Sequence, residues 1–435
     1  MSGKSSVTRR SFIKTAGGAL AAGAALGGAP AIGALGANEK IGLGFIGVGG
    51  RGGFHLSQFS KMDDVNVIAV ADCSQSKRDA ALKRARAKNP NAQAFEDYRK
   101  VLDLKEVDAV VVAPPDHWHV IPSIYACQAG KDVYVEKPIG QNVREGRALV
   151  QAARKYDRVV QLGTQHRSGP TWIEAVDIVK SGGIGKVSLV RSWNCWDTKS
   201  IHADMGNPPD SDPPPGVNYD LWLGPAKKRP FNPRHFDFYF YYFWEYSGGM
   251  LSAWGVHLFD VVTWALGPTI KSVTTIGGKF VYNDARDMPD TAGVLFECPG
   301  YVHTYEVRHG NGKDPWGGMD HGLEFYGTTG AIWINRNGYT LFPEENRKNA
   351  KFVADRGQDE QHKRNWLDCI RSRKRPNADI ELGQLGCVPG FLGNIAYRVG
   401  RKIQWDGEKE TIPGDPEADK LLGREYREPY VLPKV

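Results

Sequence analysis

Ile46-Gly47-Val48-Gly49-Gly50-Arg51-Gly52 ends a short apolar run that begins at Lys40, and it opens a helical stretch. In a strand–turn–helix of this kind each glycine has its own task. Gly47 permits the tight turn, Gly49 lets the backbone approach a pyrophosphate, and Gly52 allows close contact between helix and strand. The phosphates then sit at a helix N-terminus, where free N–H groups and the helix dipole favour anions. With 51 glycines in 435 residues the spacing alone arises easily by chance, so its context decides. A second apolar run, Val65 to Ala71, ends in Asp72, 20 residues beyond Gly52. A carboxylate there accepts both ribose hydroxyls of an adenosine and repels a 2′-phosphate, which favours NAD. Lys77 and Arg78 nearby keep NADP open.

Outward from this turn the chain alternates. Apolar runs at Asp108–Ala113, Asp132–Val135 and Val159–Leu162 are separated by helical stretches at Ser74–Lys88, Asp97–Leu102, His119–Ala129 and Val143–Lys155. That order predicts a doubly wound parallel sheet over residues 38–162. The pattern then changes. Lys186 to Trp196 alternates like a strand, Pro208 to Gly216 is a proline-rich loop, and strand-like runs recur from Ile270 to Thr340. With helices expected at Gly248–Leu266, Gln361–Arg371 and Gly390–Lys402, residues 163–435 read as an α/β (α+β) domain with a large, open, mostly antiparallel sheet. Its final helices are candidates to pack back on the first domain.

Two segments stand where open sheets bind ligands, at the carboxyl ends of strands. They are Ala113-Pro114-Pro115-Asp116-His117-Trp118-His119 and Val135-Glu136-Lys137-Pro138. Lysines are usually solvated, but one between a buried strand and a proline at this edge points to function. His117 and His119 suggest a metal, yet no third ligand stands at a sensible spacing, so none is expected.

The formal net charge of +7 includes Lys4, Arg9, Arg10 and Lys14, which precede any acid. About +3 is left beyond them, and no basic block grips a phosphate backbone, so nucleic acid is not an expected partner. Thr8-Arg9-Arg10-Ser11-Phe12-Ile13-Lys14, an Ala/Gly run and small residues between Ala29 and Ala37 match a twin-arginine export signal over residues 1–37. The run has too few large apolar residues to span a bilayer, and no stable membrane insertion is expected. That route carries folded proteins, which suits a chain that must keep its nucleotide in the periplasm or beyond. Cys73, Cys127, Cys195, Cys298, Cys369 and Cys387 form no C-x-x-C pair and read as mostly buried thiols.

Together these segments resemble the Gfo/Idh/MocA oxidoreductases, the family of glucose-fructose oxidoreductase and inositol dehydrogenase. The likeness runs from about Ile41 to Leu432. Besides the glycine turn and Asp72 it takes in Pro114-Pro115-Asp116-x-x-His119, Glu136-Lys137-Pro138 and Gly163-Thr164-Gln165-His166-Arg167. It continues with Tyr219-Asp220-Leu221-Trp222-Leu223-Gly224-Pro225, with Gly248-Gly249-Met250 through His257 and Asp260, and with Leu392-Gly393-Asn394-Ile395. The resemblance implies that Gly47, Gly49, Gly50, Arg51, Gly52 and Asp72 hold the cofactor. Pro114, Pro115, Asp116, His119, Glu136, Lys137 and Gln165 complete that set. It implies catalysis by Lys137 and His257, and oligomers formed through the second domain's sheet. Family members commonly carry an aspartate four residues before the histidine, where this chain has Ala253. Asp260, about one helical turn later, is the candidate to orient His257 instead.

The implied reaction is hydride transfer between a secondary carbinol of a sugar or cyclitol and nicotinamide. The hydroxyl proton must leave with the hydride, and an imidazole of unperturbed pKa meets that need. Lys137 is suited to the developing alkoxide. Arg167, His166, Arg234 and His235 are candidates to hold hydroxyls. Aromatic residues crowd between Trp193 and Trp264, and for most of these rings ordinary core packing is the expectation. Two alternatives stand beside the dehydrogenase. One is a glycoside hydrolase or lyase that uses NAD transiently through a keto-sugar. The other is a non-catalytic cofactor- or sugar-binding protein, for which the loss of aspartate at Ala253 argues.

Overall fold

The computed structural model describes residues 39–313 and 319–435, so the export signal expected in residues 1–37 lies outside the described residues. The first sheet is built from β1 (Ile41–Ile46), β2 (Val65–Ala71), β3 (Gln93–Phe95), β4 (Ala109–Val112), β5 (Asp132–Val135) and β6 (Val160–Leu162). Its order is β3-β2-β1-β4-β5-β6, and all neighbours run parallel. Every residue of β1, β4, β5 and β6 is buried, as expected of a parallel sheet covered on both faces. The chain order reverses between β1 and β4, and that switch point opens a crevice at the strands' carboxyl ends.

The second sheet has nine strands among the described residues, in the order β14-β13-β12-β11-β7-β10-β9-β8-β15. They are β7 (Val187–Asp197), β8 (Ser272–Gly278), β9 (Thr291–Cys298), β10 (Tyr301–Gly310) and β11 (His321–Gly327), then β12 (Gly330–Asn335), β13 (Gly338–Pro343), β14 (Lys351–Ala354) and β15 (Ile403–Gln404). Only β7 and β10 pair in parallel; the other neighbours are antiparallel. The fold is therefore α/β, a Rossmann sheet followed by a domain with a mixed, mostly antiparallel sheet. Along β9 the side chains of Ala292, Val294, Phe296 and Cys298 turn inward while Gly293, Leu295 and Glu297 face out. The inner face packs against helix Ile380–Val399, which also packs on helix Gly255–Leu266. Helix Asp359–Ser372 sends Trp366, Leu367 and Ile370 into the core of the first sheet, beside Phe45, Phe59 and Tyr134.

Two expected elements differ. The helix read across Gly248–Leu266 is two, Gly249–Ala253 and Gly255–Leu266, broken at Trp254. The helix expected from Gly390 begins at Ile380 and runs through Pro389. Its glycines mark close approaches rather than breaks. A Cβ on Gly383 would lie 2.8 Å from the Leu162 side chain, and one on Gly390 would lie 2.6 Å from the Leu251 carbonyl oxygen.

Candidate active site

At the switch point the glycine turn has the geometry its spacing implies. Gly47 has φ +77°, and a Cβ there would fall 2.4 Å from the Pro114 nitrogen. One on Gly52 would fall 1.9 Å from the Gly47 carbonyl oxygen, so turn and helix touch backbone to backbone. Gly49 and Gly50 differ. Nothing lies nearer than 3.7 Å to a Cβ on Gly49, and nothing within 4 Å of one on Gly50. Their open side faces a cavity of 460 Å³. All the expected cofactor residues line it except Gly52, which sits beneath the turn, and Gln165, which is buried and donates to the Tyr134 hydroxyl at 3.4 Å. The donor set fits a dinucleotide: free amides at a helix start, open glycines, and an acid at the end of β2.

That acid, Asp72, ties the turn together. Its two carboxylate oxygens accept from the Val48 and Ser74 amides at 2.8 and 2.9 Å. Burial raises its pKa, and these amides with Lys77 and Arg78 only partly offset that. Neither neighbouring cation is free: Lys77 pairs with Asp237, and Arg78 donates to the Asp72 backbone carbonyl at 2.7 Å. Asp237 belongs to a stretch in which Phe236, Phe238, Phe240 and Tyr241 line the same cavity. Part of the aromatic-rich segment thus borders the cofactor site, whereas core packing was the expectation for most of it.

Glu136 is the anchor at the end of β5. One oxygen accepts from Arg51 Nε at 2.9 Å and from His55 Nε2 at 2.6 Å, and the other from the Lys137 amide at 3.2 Å. Burial would raise its pKa, but Arg51, His55 and Lys137 together hold it well below the usual carboxylate range. Burial lowers His55 to about 4, so it is neutral and donates from Nε2. The same anchor places Lys137, whose ammonium donates to the Ala253 carbonyl at 2.8 Å. Burial lowers the Lys137 pKa, and Glu136 and Asp116 resist that shift. Asp116 accepts from the Ser247 hydroxyl. His119 spans the Pro138 and Pro114 carbonyls at 2.6 and 2.9 Å, while His117 is buried against the Trp222 carbonyl. Among the described residues no group of three His, Cys, Asp or Glu side chains is placed to hold a metal.

His257 follows Ala253 by four residues, on the next helix. It is buried, and its Nδ1 has no hydrogen-bond partner. Burial, then the charges of Arg336 and Lys137, push its pKa well below 6.5, so the unperturbed imidazole expected from sequence is corrected to a neutral one. His166 lies 5.5 Å away, ring to ring, stacked on Trp172 with its Nε2 unpartnered. Two expectations fail here. Asp260 does not orient His257, because its carboxylate takes Arg167 Nε with both oxygens at 2.8 Å, fully buried. Arg167 is thereby spent on a buried ion pair and is not free for substrate hydroxyls. Nor do Arg234 and His235 line the cavity. Arg234 lies over Tyr239, and His235 packs on Phe243 beside Arg229.

Residues 41–164 match the description "Oxidoreductase family, NAD-binding Rossmann fold", and residues 176–285 match that family's "C-terminal alpha/beta domain". The two matches, named for Gfo/Idh/MocA, together take in more than half of the chain. The chain belongs to the Gfo/Idh/MocA oxidoreductase family. An inositol 2-dehydrogenase of Rubrobacter xylanophilus is 31% identical over 162 residues, 37% of this chain and 45% of that protein. An alpha-N-acetylgalactosaminidase of Shewanella oneidensis is 27% identical over 154 residues, 34% of each. The aligned stretch thus spans less than half the length of either curated relative. In fold the chain is similar to the scyllo-inositol dehydrogenase of Lactobacillus casei solved with NAD(H) and scyllo-inositol. The TM-score is 0.60 and identity 20%, over 84% of this chain and 99% of that one.

Within this family the cofactor half was legible from sequence, and several residues of the other half were not. Arg336 joins His257 only in space: it lies over the ring of Trp254, three residues before His257, and that ring meets the His257 ring at 5.5 Å. The only sequence signal at Arg336 is the hairpin Asn335-Arg336-Asn337-Gly338, which predicts a turn and nothing about what its arginine reaches.

Proposed function

We propose that this protein transfers hydride between a secondary hydroxyl of a sugar or cyclitol and NAD held in the switch-point cavity. The observation that carries it is the convergence of Lys137 and His257. Lys137 lines the cofactor cavity and is fixed by Ala253, at the end of the short helix before that of His257. Bound NAD supplies the hydride acceptor; the open glycines and Asp72 are the residues that would hold it. His257, kept neutral, takes the hydroxyl proton, and Lys137 stabilises the oxygen as it becomes negative. Engagement of both Lys77 and Arg78 supports NAD over NADP, since neither is free for a 2′-phosphate. The test is to screen sugars and cyclitols with the purified protein for nicotinamide reduction. No reduction with any of them would overturn the reading.

The similarity to an alpha-N-acetylgalactosaminidase favours a second, redox-neutral use of the same residues. A ketone at one carbon acidifies the neighbouring C–H, elimination breaks the glycosidic bond, and the hydride returns. Free aglycone from an aryl glycoside, without net reduction, would identify it.

Export by the twin-arginine route is proposed from the residues quoted above. Arg9→Lys with Arg10→Lys keeps the charge and should abolish export; normal export would refute it. The outward face of β8–β10 exposes Ile276, Leu295 and Val302, and this supports a homo-oligomer through the second sheet.

A further inference from the structure

Among the described residues three Arg and Lys side chains line the cofactor cavity, and they are unevenly placed. Arg51 and Lys137 stand at Glu136, at the end of β5. Lys77 stands at the other end, in the first turn of helix Gln75–Arg86, three residues after Ser74, whose amide Asp72 holds. Its ammonium reaches the glycine turn, for a Cβ on Gly49 would lie 3.7 Å from the Lys77 Nζ. Lys77 is therefore the cavity-lining cation nearest the ribose that Asp72 would hold. A 2′-phosphate, the one group that distinguishes NADP from NAD, would look for its cation there.

That ammonium is met from outside the Rossmann domain. Asp237, 160 residues further along the chain, takes it in an ion pair, and the centre of the Phe236 ring lies 5.2 Å from Nζ. Phe236, Asp237 and Phe238 all line the cavity, so the carboxylate reaches Lys77 at the cavity wall. The other charges around this end are engaged elsewhere. Glu96 accepts from Asn218 Nδ2 at 2.9 Å, Arg78 donates to the Asp72 carbonyl at 2.7 Å, and Arg84 donates to the Gly53 carbonyl at 3.0 Å. Asp237 has φ +51°, a left-handed conformation that Asp and Asn accept more readily than other side chains. Both partners of the pair are partly exposed, so the pair itself is weak. A phosphate would win the ammonium from solvent, but here it must displace one carboxylate while facing another, Asp72. Exclusion by like charge of this kind is a common source of specificity.

We propose that Asp237 is a coenzyme-specificity residue: by holding Lys77 it denies a 2′-phosphate its cation and adds a second repelling carboxylate to that of Asp72. The preference for NAD is then made in part by the second domain. This rests on the NAD site assigned under the proposed function and names a residue that sets its preference.

The test titrates NAD and NADP by calorimetry into the purified protein, freed of any nucleotide that accompanies it, so no substrate is needed. The wild type should bind NAD the more tightly. Asp237→Asn keeps the size and the backbone conformation and removes the charge. It should raise the ratio of NADP to NAD affinity roughly ten-fold, the scale of a hydrogen bond between ammonium and phosphate. Adding Lys77→Met to Asp237→Asn should take that gain away. A ratio that does not move in Asp237→Asn, with the fold intact by circular dichroism, overturns the proposal, and so does a gain that persists without Lys77. A wild type that prefers NADP, or binds neither nucleotide, overturns the NAD site and the proposal with it. Preferred NAD binding and a Lys77-dependent shift, with no sugar or cyclitol oxidised, supports the proposal and defeats the dehydrogenase reading.

Discussion

The cofactor wall of this site and the proposed catalytic wall meet at Lys137 but are assembled over different lengths of chain. On the cofactor wall the contacts that shape the glycine turn span few residues and involve its backbone. Gly52 meets Gly47, and Asp72 holds the Val48 amide across 24 residues. On the catalytic wall Lys137 reaches Ala253 across 116 residues, and Arg336 reaches Trp254 from a hairpin tip. A wall made of backbone is fixed by its local sequence. A wall made of side chains from separate segments can change its chemistry without changing its shape. Substitutions on the catalytic wall should therefore remove rate and leave cofactor binding in place, and those on the cofactor wall should do the opposite.

The largest effect is expected at Lys137 and His257. Lys137→Ala and His257→Ala should each lower hydride transfer by roughly 10²–10⁴, the contribution of a positioned acid or base, with NAD affinity little changed. The double variant should be only slightly worse than either single, since the two act on one proton. The pH profile carries the same assignment. His257 is a base only when deprotonated, and its pKa is pushed well below 6.5, so kcat/KM should fall with acid only below 6.5. Lys137 is needed protonated, and burial lowers its pKa, so activity should fall on the alkaline side before the usual lysine range near 10.5 is reached. An acid limb above 6.5, or one that survives in His257→Ala, would place the base elsewhere.

Next in size is Asp72→Ala, which should weaken NAD binding by about 1.5–3 kcal/mol, the scale of hydrogen bonds to a charged acceptor. It also leaves the Val48 and Ser74 amides without their carboxylate. Both limbs of the pH profile should stay where they are. Loss of rate at saturating NAD would show that the two walls are not separable.

The contrast also explains what could be read from sequence. The parallel sheet, the glycine turn, Asp72 and helix Val143–Lys155 follow from periodicity, caps and local spacing; Asn142 caps that helix by accepting from the Glu145 amide. Helix Ile380–Val399 was hidden because Gly383, Gly386, Gly390 and Pro389 look like breakers along the chain. In the fold the glycines are where Leu162, Asp260 and Leu251 come close. Asp260 sat one turn from His257 in the sequence, and the preference for it as an orienting acid rested on that spacing alone. Its partner is Arg167, a pairing across 93 residues that no local pattern announces. Arg336 was illegible for the same reason.

The smallest effect, and the sharpest probe of the boundary between the walls, is expected from Ala253→Asp. Ala253 is buried, and its carbonyl already holds the Lys137 ammonium. A carboxylate at this position favours the charged forms of both Lys137 and His257, opposing the burial that lowers their pKa values. Both limbs of the pH profile should move up, by about one unit for an opposite charge a few ångströms away. The acid limb then approaches 6.5 and the alkaline limb approaches 10.5. NAD affinity should change little, because residue 253 itself does not line the cofactor cavity and its carbonyl, which holds Lys137, is kept. Limbs that stay fixed, with the fold intact by circular dichroism, would show that this side chain points away from both groups. The catalytic wall would then be tuned from the Arg336 side alone.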